Sequence, residues 1–442
     1  MVLKFFGTLH VYCKMSKLMT IDGRVVFGFF IFFLVLFLID LYVFKGVKTV
    51  FSTSSFPVKR IASWVYWSIN ILFILCTLYA VSTFSYNARH TTFIFSFVAA
   101  AFVLLYIPKL IFGVFLLGED IYRLFRATGV GVYKLAATSP APVELFESRR
   151  KFVSQFATLV AGVPFLSIIY GVTKGKYNFK VHKVELAFKD LPKEFDGLKI
   201  TQLSDIHSGS FDAPEPVKNA VKLANAQGSD IMFFTGDLVN SNSDEMDPWI
   251  DVFKELKAPM GVYSIFGNHD YGDYARWYSV EQKKANLEKL VNIHKQLGFH
   301  LMRNESLKLE RNGATIDLIG MENWGKGGFS KYGDLNKSLV GTTPGSFKIL
   351  LSHDPSHWEE QVMYHPTEHI HLTFSGHTHG MQFGIEVPGI KFSPIQFRYK
   401  RWGGLYEENN RHLYVNRGFG FIGFPGRVGI WPEITVFTLR SA

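Results

Sequence analysis

Four stretches within the first 176 residues carry almost no charge, and nothing else in the sequence limits the possible folds as strongly. Residues 25–44 hold one charged residue, Asp40, near the end of the run. Residues 61–88 hold none, residues 91–108 hold none before the run continues past Lys109 to Leu117, and residues 152–173 hold none. About 20 mostly apolar residues are enough for a helix to cross a bilayer. One such run could be a buried core helix. Four in succession, with almost no polar sequence to cover them, predict transmembrane helices at about 25–44, 61–86, 91–117 and 152–173. Trp64, Tyr66, Trp67 and Tyr86 lie near the ends of the second span, where amphipathic rings favour the membrane interface. Pro108-Lys109 predicts a kink in the third span, with Lys109 paired inside the bundle or snorkelling out of it.

The net charge of +10 has to be divided before it is interpreted. Residues 1–176 carry 18 Lys+Arg against 6 Asp+Glu, whereas residues 177–442 carry 29 against 31, a balance of −2. The first part also holds 24 of the 43 Phe but only two of the 15 His. This shift predicts a membrane domain at 1–176 and a soluble domain at 177–442. A basic total invites a nucleic-acid partner, but the near-neutral soluble part argues against one. Two cysteines, Cys13 and Cys76, exclude a disulfide scaffold. None follows residue 176, so an oxidising compartment would not harm the soluble domain.

Lys and Arg concentrate on cytoplasmic loops. The first and third interspan loops hold ten of them, including Lys45, Arg60, Lys134 and Arg149, while the second holds only Arg89. The expected location is therefore a bacterial cytoplasmic (inner) membrane, multi-pass, with residues from about 175 onward extracytoplasmic. The N-terminal Lys4, Lys14, Lys17 and Arg24 conflict with that orientation unless translation starts at Met15 or Met19. Ser148-Arg149-Arg150-Lys151-Phe152-Val153 resembles a twin-arginine export signal, which agrees with it.

Beyond residue 177, short apolar runs each end in a polar, glycine-containing or histidine-containing turn. Residues 199–203 lead into Ser204-Asp205-Ile206-His207, and residues 231–234 into Thr235-Gly236-Asp237. Residues 261–266 lead into Gly267-Asn268-His269-Asp270, residues 347–351 into Ser352-His353-Asp354, and residues 371–374 into Ser375-Gly376-His377-Thr378-His379. Helical periodicity between them, at 217–226, 249–256 and 280–297, predicts an α/β sheet whose functional groups gather at the carboxyl ends of its strands. Mixed carboxylate and imidazole donors suit Mn, Fe or Zn better than Mg or Ca. The candidates are Asp205, His207, Asp237, Asn268, His353, His377 and His379. Gly236, Gly267 and Gly376 are expected to let the backbone turn beside the ions. His182, His357, His365, His369, His371 and His412 are expected to be surface or capped residues.

This ordered set of five motifs resembles the calcineurin-like metallophosphoesterase superfamily over about residues 198–440, in a bacterial membrane-anchored branch. Related branches include twin-arginine-exported phosphoesterases and a hydrolase of a lipid A precursor's pyrophosphate. The resemblance implies N-terminal transmembrane helices followed by an αββα sandwich. It implies two divalent ions, one held by Asp205, His207, Asp237 and His379 and the other by Asp237, Asn268, His353 and His377, with Asp237 bridging. His269 would contact the phosphoryl group and protonate the leaving oxygen, and Asp270 would orient its ring. Two cations neutralise a phosphate ester and acidify a bound water, so a metal-bound hydroxide is the expected nucleophile. The expected function is hydrolysis of a phosphodiester, a phosphomonoester or a lipid-linked pyrophosphate. The rival is a membrane sensor that binds without turnover. Aromatic and basic residues mix at 384–402 and 419–431, where Arg398, Arg401 and Arg427 are candidates to grip a substrate phosphate, from a lipid or another envelope component.

Overall fold

The computed structural model describes residues 23–82, 89–136, 146–329 and 331–442. Cys13, Met15, Met19, the lysines before them and Tyr86 lie outside this set, as do the side chains of Arg24, Arg89, Lys134 and Ser148. Two compact units are formed. One comprises the described residues up to Ile74 together with Leu105–Phe165, and the other comprises Leu75–Leu104 together with Leu166–Ala442.

Helices α1 (Gly23–Val50), α2 (Phe56–Ser82), α3 (Arg89–Ala136) and α4 (Phe146–Thr173) cover the four apolar runs, except residues 83–88 of the second, which lie outside the described residues. Each is long and apolar enough to cross a membrane. They extend past the runs into charged sequence. In α3 the helix continues beyond Leu117, where Glu119 and Arg123 form an i,i+4 pair at 2.7 Å on one face. Pro108 sits inside α3 without ending it.

The first unit is organised around Asp40, which is 2% exposed. Lys109 Nζ reaches its Oδ1 at 2.6 Å, Tyr106 donates to Oδ2 at 3.1 Å, and Tyr66 donates to its backbone carbonyl at 2.9 Å. Lys109 also donates to Asn70 Oδ1. The lone charges of the first and third spans thus neutralise each other, as an apolar medium demands. Arg150 pairs with Asp120 at 3.0 Å, and Arg149 lies 3.4 Å above the Tyr122 ring.

The second unit contains two six-stranded sheets. The strands are β1 (Lys180–Phe188), β2 (Lys199–Leu203), β3 (Ile231–Phe234), β4 (Val262–Ser264), β5 (Phe299–Leu301), β6 (Glu305–Arg311), β7 (Ala314–Gly320), β8 (Lys348–Leu351), β9 (Leu372–Ser375), β10 (Ile385–Val387), β11 (Ile390–Phe392), β12 (Gly404–Glu408), β13 (Arg411–Val415) and β14 (Glu433–Ser441). One sheet runs β1-β14-β2-β3-β4-β5, the other runs β12-β13-β9-β8-β7-β6, and β10 and β11 form a separate hairpin. Strands β2 to β5 are parallel neighbours, as are β7, β8 and β9. Every residue of β3, β8 and β9 is buried, and in β3 this gives a continuous apolar run rather than an alternating one, while β8 and β9 also bury Lys348, Thr373 and Ser375.

The sheets face each other across Ile200, Phe233, Ile349, Phe374 and Phe437, with the Phe233 and Phe374 rings 5.3 Å apart. On the outer face of the first sheet lie α5 (Pro214–Asn225) and α6 (Val280–Gln296). In α5, Val217, Ala220, Val221 and Ala224 are all buried, the face that its periodicity predicts. Trp358, Val362 and Leu335 cover the outer face of the second sheet. The soluble part is therefore an αββα sandwich. The helix expected at 249–256 shrinks to Ile250–Phe253, because Pro248 and Pro259 bracket the segment and leave little room for helical backbone.

Candidate metal centre

The five polar turns meet where the carboxyl ends of β2, β3 and β4 approach those of β8 and β9. Backbone bonds tie the turns together: Asp205 N–H donates to the Gly236 carbonyl at 2.9 Å, His207 N–H to Asp237 at 3.1 Å, and Gly376 N–H to His353 at 2.9 Å. Asp205, His207, Asp237, His377 and His379 all have positive φ, between 48° and 70°. Side chains other than glycine seldom adopt that region, and such strain persists where the surrounding structure enforces it, commonly at functional sites. Among the three glycines, only Gly236 needs positive φ, at 95°. Gly376 serves a different purpose: a Cβ there would strike Ser204 and the Asp205 carboxylate.

The side chains form two clusters, Asp205 with His207 and His379, and Asp237 with His353 and His377. His379 Nε2 lies 3.0 Å from His207 Nε2 and 3.3 Å from Asp205 Oδ1. Asn268 Oδ1 lies 2.7 Å from His377 Nδ1, which brings the amide into the second cluster. Asp237 Oδ2 stands between the clusters, 3.5 Å from His207 Nε2 and 3.1 Å from His353 Nε2. Its Oδ1 accepts the His269 backbone N–H at 2.8 Å.

Burial holds the imidazoles of His207 and His377 neutral, pushing them down to about 3 and about 4, and pushes His379 well below its ordinary value. Burial opposes a charge on His353 too, but the Asp237 carboxylate beside it overrides that and pulls it up to about 10. Burial likewise opposes the Asp237 charge, yet His353 and His269 keep the carboxyl well below its usual range. Burial raises Asp205. His353 Nδ1 donates to the Thr235 carbonyl at 2.7 Å, which turns Nε2 toward Asp237 without a hydrogen bond of its own. Buried carboxylate, imidazole and amide groups that converge in this way fit a divalent cation.

Other expected site residues are placed differently. Asp270 does not orient His269. Its buried carboxylate accepts the backbone N–H groups of Asp237, Leu238 and Gly267 at 2.8–2.9 Å, so it braces two ligand-bearing turns. The Asn240 carbonyl, 2.6 Å from Nδ1, holds the His269 ring instead. Arg427 is fully buried and donates to the carbonyls of Arg417, Gly418 and Gly420, with its guanidinium 3.2 Å from His379 Nδ1. Its Nη2 is thus committed to main-chain carbonyls rather than turned to solvent. Arg401 is paired with Glu359 at 2.7 Å and also with Glu408. Arg398 is exposed over the Phe329 ring, which lies 4.8 Å from His377.

Sequence reasoning missed the groups that steady His377. Tyr399 OH is 2.9 Å from its Nε2, and Asp354 Oδ2 is 3.5 Å away. A carboxylate or hydroxyl behind a ligating imidazole is a common way of fixing its orientation, and the only hint was that Asp354 adjoins His353. His357 bonds Ser352 at 3.0 Å and His371 accepts the Lys348 N–H at 3.1 Å, both ordinary internal contacts.

Comparison with known proteins agrees with both halves. The model for the transmembrane domain of calcineurin-like phosphoesterases matches residues 24–176, and the calcineurin-like phosphoesterase model matches residues 198–381. The uncharacterised metallophosphoesterase YkuE of Bacillus subtilis is 31% identical over 301 residues, 66% of this chain and 98% of its own length. A bovine (Bos taurus) transmembrane protein with a metallophosphoesterase domain is 26% identical over 414 residues, 85% of this chain and 88% of its own. The UDP-2,3-diacylglucosamine pyrophosphatase LpxG of Chlamydia trachomatis is 28% identical over 280 residues, 52% of this chain and 81% of its own.

Proposed function

The chain belongs to the calcineurin-like metallophosphoesterase family, as a multi-pass membrane member, and we propose from this that it hydrolyses phosphate esters with two divalent ions. The observation that carries the reading is the position of Asp237 Oδ2 between two clusters of buried donors. In this reading Asp205, His207 and His379 hold one ion, Asn268, His353 and His377 hold the other, and Asp237 belongs to both. The mixed donors favour Mn, Fe or Zn. When bound, the ions neutralise phosphoryl charge and acidify a water.

The chain's own residues supply the rest. His269 is half-buried at the opening, and the Asn240 carbonyl on Nδ1 leaves Nε2 to protonate the leaving oxygen. Exposed Arg398, over the Phe329 ring that neighbours His377, supports a role for this side chain in meeting a substrate phosphate. The substrate is a phosphodiester, a phosphomonoester or a lipid-linked pyrophosphate. The membrane helices and the activity in LpxG's name support an envelope substrate. A sensor without turnover would not need a complete ligand set, and this chain has one.

With Mn²⁺ added, the purified full chain is expected to hydrolyse bis(p-nitrophenyl) phosphate. His269→Ala should lower kcat by about 10²–10⁴-fold at unchanged metal content. Equal rates for wild type and Asp237→Ala over Mn, Fe and Zn would end the enzyme reading, whereas equal rates for wild type and His269→Ala would end only the proton-transfer role. We also propose that the membrane is a bacterial cytoplasmic one with the catalytic domain outside. Alkaline phosphatase fused after Ala442 should then be active, and activity only from a cytoplasmic reporter would reverse the sidedness.

A further inference from the structure

A cavity of about 560 Å³ lies within the second compact unit, away from any residue assigned above to an ion or a proton transfer. One wall is built by Phe97, Ala101 and Leu104 of α3 with Ile168 and Val172 of α4. These segments belong to helices apolar enough to span a membrane. The opposite wall is the segment after His207, including Ser210 and Phe211, together with Phe421. The volume falls in the range of small-molecule sites, and the lining is mostly apolar, its polar side chains being Ser96, Thr173, Lys176, Ser210 and Asp212. Lys176 is paired with Asp212, which also accepts from Tyr177 OH at 2.8 Å, so the polar groups at that end are already engaged with one another.

The cavity shares a wall with the proposed active site. Ser210 Oγ accepts from Asn240 Nδ2 at 3.1 Å, and the Asn240 carbonyl holds His269 Nδ1. Two side chains therefore separate an apolar chamber walled by membrane helices from the proposed general acid. A small, water-soluble ester would gain nothing from such a chamber. An alkyl chain would leave the bilayer for equally apolar surroundings, with Ser210 and Asn240 between it and His269.

We propose that this cavity binds an acyl chain of the substrate, which makes the substrate a membrane lipid bearing a phosphate ester or pyrophosphate. The proposal rests on the phosphoesterase reading and adds to it both the substrate class and the residues that select it.

The test uses the full chain in phosphatidylcholine nanodiscs, with bis(p-nitrophenyl) phosphate as reporter substrate. Monoalkyl phosphates of increasing chain length serve as inhibitors. Inhibition should strengthen by up to about fourfold per methylene over the first several carbons. Ala101→Trp, which fills the chamber, should flatten that dependence while leaving reporter hydrolysis and inhibition by methyl phosphate unchanged. Partition of inhibitor into the nanodisc is the same for both proteins and cancels. Ala100→Phe, on the same wall, repeats the test should Ala101→Trp fail to fold. If the reporter is not hydrolysed at all, the phosphoesterase reading fails. If it is hydrolysed but inhibition ignores chain length, or if the dependence survives both substitutions, the cavity does not hold the substrate's chain. A lipid that co-purifies yet is not displaced by alkyl phosphates would make the cavity a structural lipid site and overturn the proposal.

Discussion

Asp237→Ala should lower the rate on a phosphodiester by about a thousandfold or more and empty both metal positions together. The magnitude follows from the several kcal/mol of transition-state stabilisation that a catalytic ion supplies, at about 1.4 kcal/mol per factor of ten. The joint loss follows from geometry, because Oδ2 faces His207 on one side and His353 on the other. Alanine also removes the acceptor of the His269 N–H, so the turn carrying the proposed acid loosens as well. Asp237→Asn separates the two effects. It keeps an acceptor oxygen but not the charge, and should leave the fold intact while the metal is lost. Metal per chain, measured by inductively coupled plasma mass spectrometry beside kcat/KM, decides the matter. An Asp237→Ala protein that keeps two ions, or keeps its rate, would refute the bridging role.

The second large effect is expected inside the membrane unit. Asp40→Leu leaves Lys109 without its counter-ion beside Asn70, and Lys109→Leu leaves the buried Asp40 carboxylate with the Tyr106 hydroxyl but no cation. Breaking a buried pair by removing one partner typically costs about 3–5 kcal/mol, because the remaining charge is left uncompensated. The double variant removes both charges and should recover much of that loss, giving a coupling energy that a thermal-unfolding cycle in detergent measures directly. Additive single effects would mean that the contact contributes no coupling.

The parts of the site that the sequence revealed are those carried by local pattern. An apolar run followed by Asp-x-His or Gly-Asp marks a strand and the turn at its end, and five such turns in order mark a cluster of candidate side chains. The parts it concealed depend on distant partners that share no local signature. Asn240 reaches His269 from 29 residues away, and Tyr399 reaches His377 from 22 residues away, each through ordinary loop sequence. Asp270 follows His269 directly, so adjacency suggested a partnership that the fold does not make; its carboxylate turns to backbone N–H groups instead. Arg427 misled for a related reason. An arginine among apolar residues beside an active site reads as a substrate grip, whereas its acceptors are main-chain carbonyls, which no sequence pattern marks.

The break in composition near residue 176 is not a break in the structure. The backbone N–H of Arg427 donates to the carbonyl of Gly171, in the last turn of α4, at 3.2 Å. A Cβ on Gly171 or on Gly175 would come within 2.6 Å of the Arg427 carbonyl oxygen. The same arginine's guanidinium rests against His379. The last turn of α4 is consequently part of the packing around Arg427. A side chain at either bare position would push on the loop segment whose guanidinium touches His379, so a change at the end of a membrane helix can be felt at the metal cluster.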